Sequence, residues 1–232
     1  MFETLKEQPA DKILMLMQAY KEDPREQKVD LGVGVYKDPQ GRTPIMRAIK
    51  AAEKQLWEVE ETKAYTGLAG DPAYGDAMVN LVLGDAVPRT NVAAAATPGG
   101  TGAVRQGFDL ARMANPGTRV FHSDPTWPNH LSILGHMGIE KVPYRYFDDE
   151  TRGVDFDGMM EDIGKAGKGD VVLLHGCCHN PTGANLNPSQ WKAVIDLLLE
   201  TGATPMIDIA YQGFGDGLDA DAEGVRMVAS SV

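Results

Sequence analysis

The sequence contains no stretch of about 18 consecutive apolar residues, so it offers no membrane span. Its longest mainly apolar runs are short, such as Val171–Leu174 and Val194–Leu199. The start, Met-Phe-Glu-Thr-Leu-Lys-Glu-Gln-Pro, lacks the basic region and apolar core of a secretory signal. Cysteine is scarce: only Cys177 and Cys178 occur, and adjacent cysteines rarely make a good disulfide with each other. We therefore expect a reducing, cytoplasmic compartment. Basic charge is in deficit as well. The formal net charge of −11 argues against a nucleic-acid partner, whose phosphates call for a basic surface. Internal repeats, low-complexity runs and linkers are all lacking.

What remains is ordinary globular composition, with 43% hydrophobic and 24% charged residues, which excludes disorder, collagen and coiled coil. The length of 232 residues suits one large α/β domain or a domain and a half. Glycine is the enriched residue, at 26.

Near the start, Ile13, Leu14, Leu16 and Met17 give segment 12–20 one apolar helical face. Segment 30–36 alternates like a strand but carries Gly32 and Gly34, the mark of a bulge, a close ligand approach or simply an entering loop. Segment 44–57 reads as a helix with Pro44 near its first turn. Further on, apolar runs alternate with helical segments. The strand candidates are 91–96, 119–123, 141–147, 170–176 and 204–209. The helix candidates are 71–83, 101–113, 128–137, 156–165 and 188–200. This alternation predicts an α/β fold, a mostly parallel sheet with helices on both faces. Ligands of such sheets sit beyond the carboxyl ends of the strands.

The residues after each strand candidate are chemically distinctive. Thr97-Pro-Gly-Gly-Thr-Gly102 leads into a helix, where glycines and open backbone N–H groups suit a phosphate. It is neither Gly-x-Gly-x-x-Gly nor a lysine-bearing P-loop, so a tight turn is its other reading and a nicotinamide dehydrogenase is disfavoured. Trp127, set between turn residues, offers a stacking face or partial burial against a helix. His175, Cys177, Cys178 and His179 invite a zinc reading, but neither pair has zinc-ligand spacing; small residues buried at a strand end explain the cysteines better. Asn180-Pro181 offers a side-chain amide and a peptide bond that can be cis. Asp208, in an apolar run with no neighbouring Lys or Arg, is expected to be buried and to need a cation or donors. Tyr211 follows three residues later. A planar, phosphorylated, cationic heterocycle fits all of these features at once, and pyridoxal phosphate is such a molecule.

In the strings Asp30-Leu-Gly-Val-Gly-Val-Tyr-Lys-Asp38, Tyr65-Thr-Gly-Leu, Gly99-Gly-Thr-Gly-Ala103, Trp127-Pro-Asn-His130, His175-Gly-Cys-Cys-His-Asn-Pro-Thr-Gly183 and Asp208-Ile-Ala-Tyr-Gln-Gly-Phe214, the sequence resembles the aspartate and aromatic amino-acid aminotransferases, pyridoxal-phosphate enzymes of fold type I. The resemblance implies that Gly99, Gly100 and Thr101 bind the cofactor phosphate and that Trp127 stacks on its ring. It implies that Asn180 and Tyr211 hold the phenolic oxygen, and that Asp208 pairs with the ring nitrogen with His130 behind it. Gly34, Trp127 and Asn180 would meet substrate. Tyr65 would reach the phosphate of a neighbouring subunit in a homodimer. Residues 1–45 would form an N-terminal arm and the first part of a small domain, and residues 46–232 part of the cofactor-binding large domain. Amino acids and 2-oxo acids would be the substrates.

Two elements of the family pattern are missing. The lysine that the family joins to the cofactor sits in a Ser-x-Ser-Lys-like string downstream of Asp-x-Ala-Tyr. No such string is present, and the last lysine is Lys192. None of the arginines stands in the family's substrate-carboxylate motif. The expectation is a transaminase sequence cut before its catalytic lysine, inactive by itself, with an incomplete sheet. A non-catalytic phosphate-ligand or assembly module is the rival.

Overall fold

A computed structural model describes residues 3–4, 12–30 and 34–231. The chain divides into two compact units, residues 1–64 and residues 65–232. The first unit holds α1 (Lys12–Glu22) and α2 (Arg47–Val59). The second helix begins at Arg47, after Met46, so Pro44 lies outside it rather than in its first turn. Gly32, Leu31 and Val33 fall outside the described residues, as does most of the proposed arm; residues 34–38 have no regular structure.

The second unit contains α3 (Pro72–Val82), α4 (Gly99–Ala114), β1 (Arg119–Asp124), α5 (Pro128–Met137), β2 (Glu140–Arg145), β3 (Phe147–Asp148), β4 (Gly153–Val154), α6 (Phe156–Ile163), β5 (Val171–His175), α7 (Pro188–Thr201), β6 (Thr204–Asp208) and α8 (Glu223–Ala229). Local chemistry sets several helix starts. Asp71 caps α3 by accepting the Ala73 N–H, and Asp155 caps α6 through the Gly158 N–H. Asn187 and Gln190 form a reciprocal capping box on α7, which ends at Gly202 in the left-handed conformation.

Four strands form a sheet in the order β2-β1-β5-β6, and every pairing in it is parallel. Alternation sends successive residues to opposite faces. Val171 and Leu173 of β5 join Val120, Val104, Phe108 and Leu134 in one core cluster. Val172 and Leu174 join Phe121, Tyr144, Ile163, Trp191 and Val194 in the other. Helices α4 and α5 therefore cover one face and α6, α7 and α8 the other, as the alternation predicted. Each fully buried aliphatic side chain contributes about 1.5–3 kcal/mol of transfer free energy.

Two strand predictions are corrected. Segment 91–96 is not a strand: a 3-10 turn at Arg89–Asn91 leads into extended backbone that has no strand partner among the described residues. Its apolar run invites a strand reading, but alanine is a poor strand former and a strand needs a neighbour for its ladder. The run 141–147 is split, with β2 ending at Arg145 and Phe147 turning into a short antiparallel pairing with Val154. The outer edge of β6 is likewise unpaired among the described residues.

Candidate active site

The strand order reverses direction between β1 and β5, and a crevice opens outside the carboxyl ends there. A cavity of about 150 Å³ occupies it, lined by Gly100, Trp127, His175, Cys177, Asn180, Asp208, Ala210 and Tyr211. The lining comes from the start of α4 and from the segments that follow β1, β5 and β6.

The α4 side is backbone. Gly99 has φ +68°, a left-handed conformation that suits glycine, and no side chain caps the first helical turn. A Cβ built on Gly99 or Gly100 would meet nothing within 4 Å, so the glycines leave open space at the start of α4; the Gly99 N–H itself turns to Thr97 O at 2.8 Å, and the N–H groups of the following turn face that space. The Thr101 hydroxyl on the same turn accepts a hydrogen bond from Asn129 Nδ2 at 3.4 Å.

Opposite in character is Asp208, at the end of β6. Its side chain is 21% exposed, half-buried rather than buried. The donor it needs is His130, fully buried, whose Nε2–H reaches Asp208 Oδ2 at 2.9 Å. Asp208 Oδ1 has no hydrogen-bond partner among the described residues.

Behind this pair runs a line of hydrogen bonds whose direction is fixed at its far end. The Asn180 backbone N–H can only donate, and it points at His175 Nδ1 at 3.4 Å. Burial holds the His175 pKa down to about 4, so the ring is neutral and its proton sits on Nε2. That proton faces Thr126 Oγ at 3.2 Å. Thr126 then donates to His130 Nδ1 at 2.9 Å, which leaves the His130 Nε2–H for Asp208. The order is Asn180, His175, Thr126, His130, Asp208.

Trp127 is half-buried. It lies edge-on to His130, with ring centroids 5.2 Å apart, and lines the cavity as well. Asn180 Nδ2 donates to the Tyr211 hydroxyl at 3.5 Å. The Asn180–Pro181 peptide bond is cis. Asp221 shapes the loop after Tyr211 by accepting the N–H groups of Gly213, Gly215 and Asp216. The two cysteines are free; Cys177 is buried, and burial pushes its thiol up to about 12.

The structure thus brings Gly100, Trp127, Asn180, Asp208 and Tyr211 to one cavity, with Gly99 and Thr101 on the adjoining turn and His130 behind. Tyr65 belongs to the same compact unit but is fully exposed and does not line the cavity. Gly34 belongs to the other unit and is exposed. Sequence reading missed Thr126 and Asp221. Thr126 is one of many threonines, and Asp221 stands among acidic neighbours, so neither carried a signal.

Residues 26–231 match the family described as aminotransferase class I and II. The chain is 60% identical over 232 residues to an aromatic-amino-acid aminotransferase of Paracoccus denitrificans, covering 100% of this chain and 59% of that protein. Among solved structures, an aromatic amino acid aminotransferase with 3-indolebutyric acid superposes with a TM-score of 0.97 at 59% identity, over 100% of this chain and 59% of that one. An aromatic-amino-acid aminotransferase from Burkholderia pseudomallei, covalently bound to pyridoxal phosphate, superposes with a TM-score of 0.94 at 41% identity, over 99% and 58%. The chain spans about 59% of the length of the relatives it matches. No helix among the described residues is long and apolar enough to cross a membrane. Cavity, sheet topology and sequence agreement together place this chain in the class I and II aminotransferase family.

Proposed function

We propose that this chain provides the pyridoxal-phosphate-binding part of an aminotransferase that moves the amino group of aspartate or an aromatic amino acid to a 2-oxo acid. The observation that carries the reading is one cavity with two complementary poles. At one end stand the open N–H groups and glycine-lined space of α4, suited to a phosphate. At the other stands Asp208, with one oxygen held by His130 and the other free for a ring N–H. Trp127 offers a flat face between them, and Asn180 and Tyr211 offer hydrogen bonds to a phenolic oxygen.

When bound, pyridoxal phosphate supplies an electron-withdrawing ring. Asp208 holds a proton at the ring nitrogen, and His130 keeps Asp208 in place by donating to it. Asn180 and Tyr211 orient the oxygen-bearing edge. Gly34 and Asn180 meet substrate. Tyr65, exposed on this chain, serves the phosphate site of a second copy in a homodimer. Residues 1–45 belong to the arm and small domain and 46–232 to the large domain, in a cytoplasmic enzyme.

No lysine lines the cavity among the described residues, and the Ser-x-Ser-Lys string is absent from the sequence. We therefore expect these 232 residues alone to bind pyridoxal phosphate reversibly and to transfer no amino groups. The unpaired β6 edge favours a second reading of the same chain, as a binding or assembly piece completed by another polypeptide.

An absorbance titration with pyridoxal phosphate tests this. The expected result is saturable binding that Asp208→Ala weakens, with no stoichiometric lysine adduct in the mass spectrum after borohydride. Absence of saturable binding would overturn the cofactor assignment. Steady transfer from tyrosine or aspartate to 2-oxoglutarate by purified chain would overturn the inactivity.

A further inference from the structure

We propose that His179 is a positioning residue for this cavity, setting Asn180 and His175 through the turn that follows β5. His179 does not line the cavity, and it is only 2% exposed. Every polar group it has is engaged. Its backbone N–H donates to Asn185 Oδ1 at 3.3 Å, and its carbonyl accepts the Gly183 N–H at 2.7 Å. Its Nδ1 lies 2.9 Å from the Thr182 hydroxyl and its Nε2 lies 2.9 Å from the Ser123 hydroxyl.

The Thr182 hydroxyl accepts the Ala184 N–H at 3.2 Å and has one proton of its own, which we assign to His179 Nδ1. Nε2 then carries the ring proton and gives it to Ser123 on β1. The turn 179–184 is thereby tied to a central strand by one neutral imidazole.

The ring also fixes its neighbours by contact. It stacks on Tyr146 at 4.0 Å and 18°, and lies 4.1 Å from the His175 ring. Tyr146 in turn donates to Ala184 O at 2.7 Å, closing the far side of the turn. The next residue, Asn180, divides its groups between two partners: its backbone N–H goes to His175 and its side-chain amide to Tyr211. Both bonds are long, at 3.4 and 3.5 Å, so a small shift of the turn breaks them. Held in place, the turn fixes the His175 tautomer and hence the direction of the line that ends on Asp208. Released, it lets the His175 ring choose either tautomer and withdraws the Asn180 amide from the cavity.

The proposal relies on the cofactor assignment only for what fills the cavity, and the test separates the two. His179→Phe keeps a ring between Tyr146 and His175 but makes neither hydroxyl bond. His179→Gln retains a donor toward Ser123. Pyridoxal phosphate is titrated by absorbance, inorganic phosphate by calorimetry, and the His175 ring nitrogens are followed by NMR in the cofactor-free chain. We expect His179→Phe to raise the pyridoxal phosphate dissociation constant about tenfold, as loss of one or two buried hydrogen bonds would. Phosphate affinity stays within about twofold, because α4 is untouched, and the His175 nitrogen shifts move toward tautomer averaging. His179→Gln recovers part of both effects. Unchanged pyridoxal phosphate affinity and unchanged His175 shifts in His179→Phe would overturn the proposal. So would loss of cooperative melting in both variants, which marks a role in folding alone. If the wild-type chain takes no pyridoxal phosphate but His175 still responds to His179→Phe, the cofactor assignment fails and the positioning role stands.

Discussion

At the amino end of the sheet, polar side chains finish on protein. Arg119 grips Asp170 through two bonds of 3.0 and 2.6 Å, and Asp170 also accepts the Gly167 N–H. Asn115 and Thr118 both donate to Gly169 O, a residue whose φ of +94° only glycine adopts with ease. The carboxyl end of the same strands is arranged otherwise. Its hydrogen bonds form a line, from Asn180 through His175, Thr126 and His130, that finishes on a carboxylate facing a cavity. The amino end spends its polar groups on closing the fold. The carboxyl end uses buried His130 and half-buried His175 to aim one acid outward, and leaves that acid half-satisfied. A buried polar network with one open valence is the mark of a site.

Acid should break the carboxyl end first. Burial holds His175 at about 4 and His179 at about 3, both below the ordinary imidazole value of 6.5. The unfolded chain takes up protons in this window and the folded chain does not, so stability is full above about pH 6.5 and declines as pH falls toward 4. The expected loss is on the order of 3 kcal/mol for each of the two histidines by pH 4, read as a falling melting temperature. His175→Gln should flatten that slope; an identical slope in the variant would assign it elsewhere. The amino end contributes little in this window. Arg119 beside Asp170 holds that carboxyl below its usual range, so its contribution is lost only at lower pH.

Next in size, Asp170→Ala should cost about 2 kcal/mol of stability, since it strands the Gly167 N–H and the part-exposed Arg119. Urea melts read this, and pyridoxal phosphate affinity should not change. A loss of affinity at equal stability would mean that the two ends are coupled. The smallest effect separates binding from stability most cleanly. In Gly100→Ala the new Cβ meets no protein atom within 4 Å, so stability should hold or rise slightly. Phosphate affinity should fall about threefold as that methyl enters the cradle. Equal phosphate affinity in wild type and variant would remove Gly100 from the site.

Much of this arrangement was legible in the chain. The alternation of apolar runs and helical segments predicted a parallel sheet covered on both faces, because burial on both sides demands continuous apolar strands such as Val171–Leu174. Gly99, Trp127, Asn180 and Asp208 stood out because each breaks the pattern of the element it follows. Segment 91–96 is apolar like the strands but rich in alanine, and strand formation depends on a neighbour's backbone. Asp208 looked isolated because its donor, His130, lies 78 residues away in sequence.

The sequence by itself determined the α/β class, the order of the elements, the family resemblance and the residues that end each strand, because these follow from local periodicity and motif. Only the tertiary structure decided which of those residues meet. The parallel register places His175 opposite Asp208, and the crossing order β2-β1-β5-β6 puts the segments after β1 and β5 on either side of one crevice. The tautomer of His175 was decided there too, because a ring proton goes where the surrounding donors and acceptors leave a place for it, and the Thr126 hydroxyl that receives it comes from a distant part of the chain.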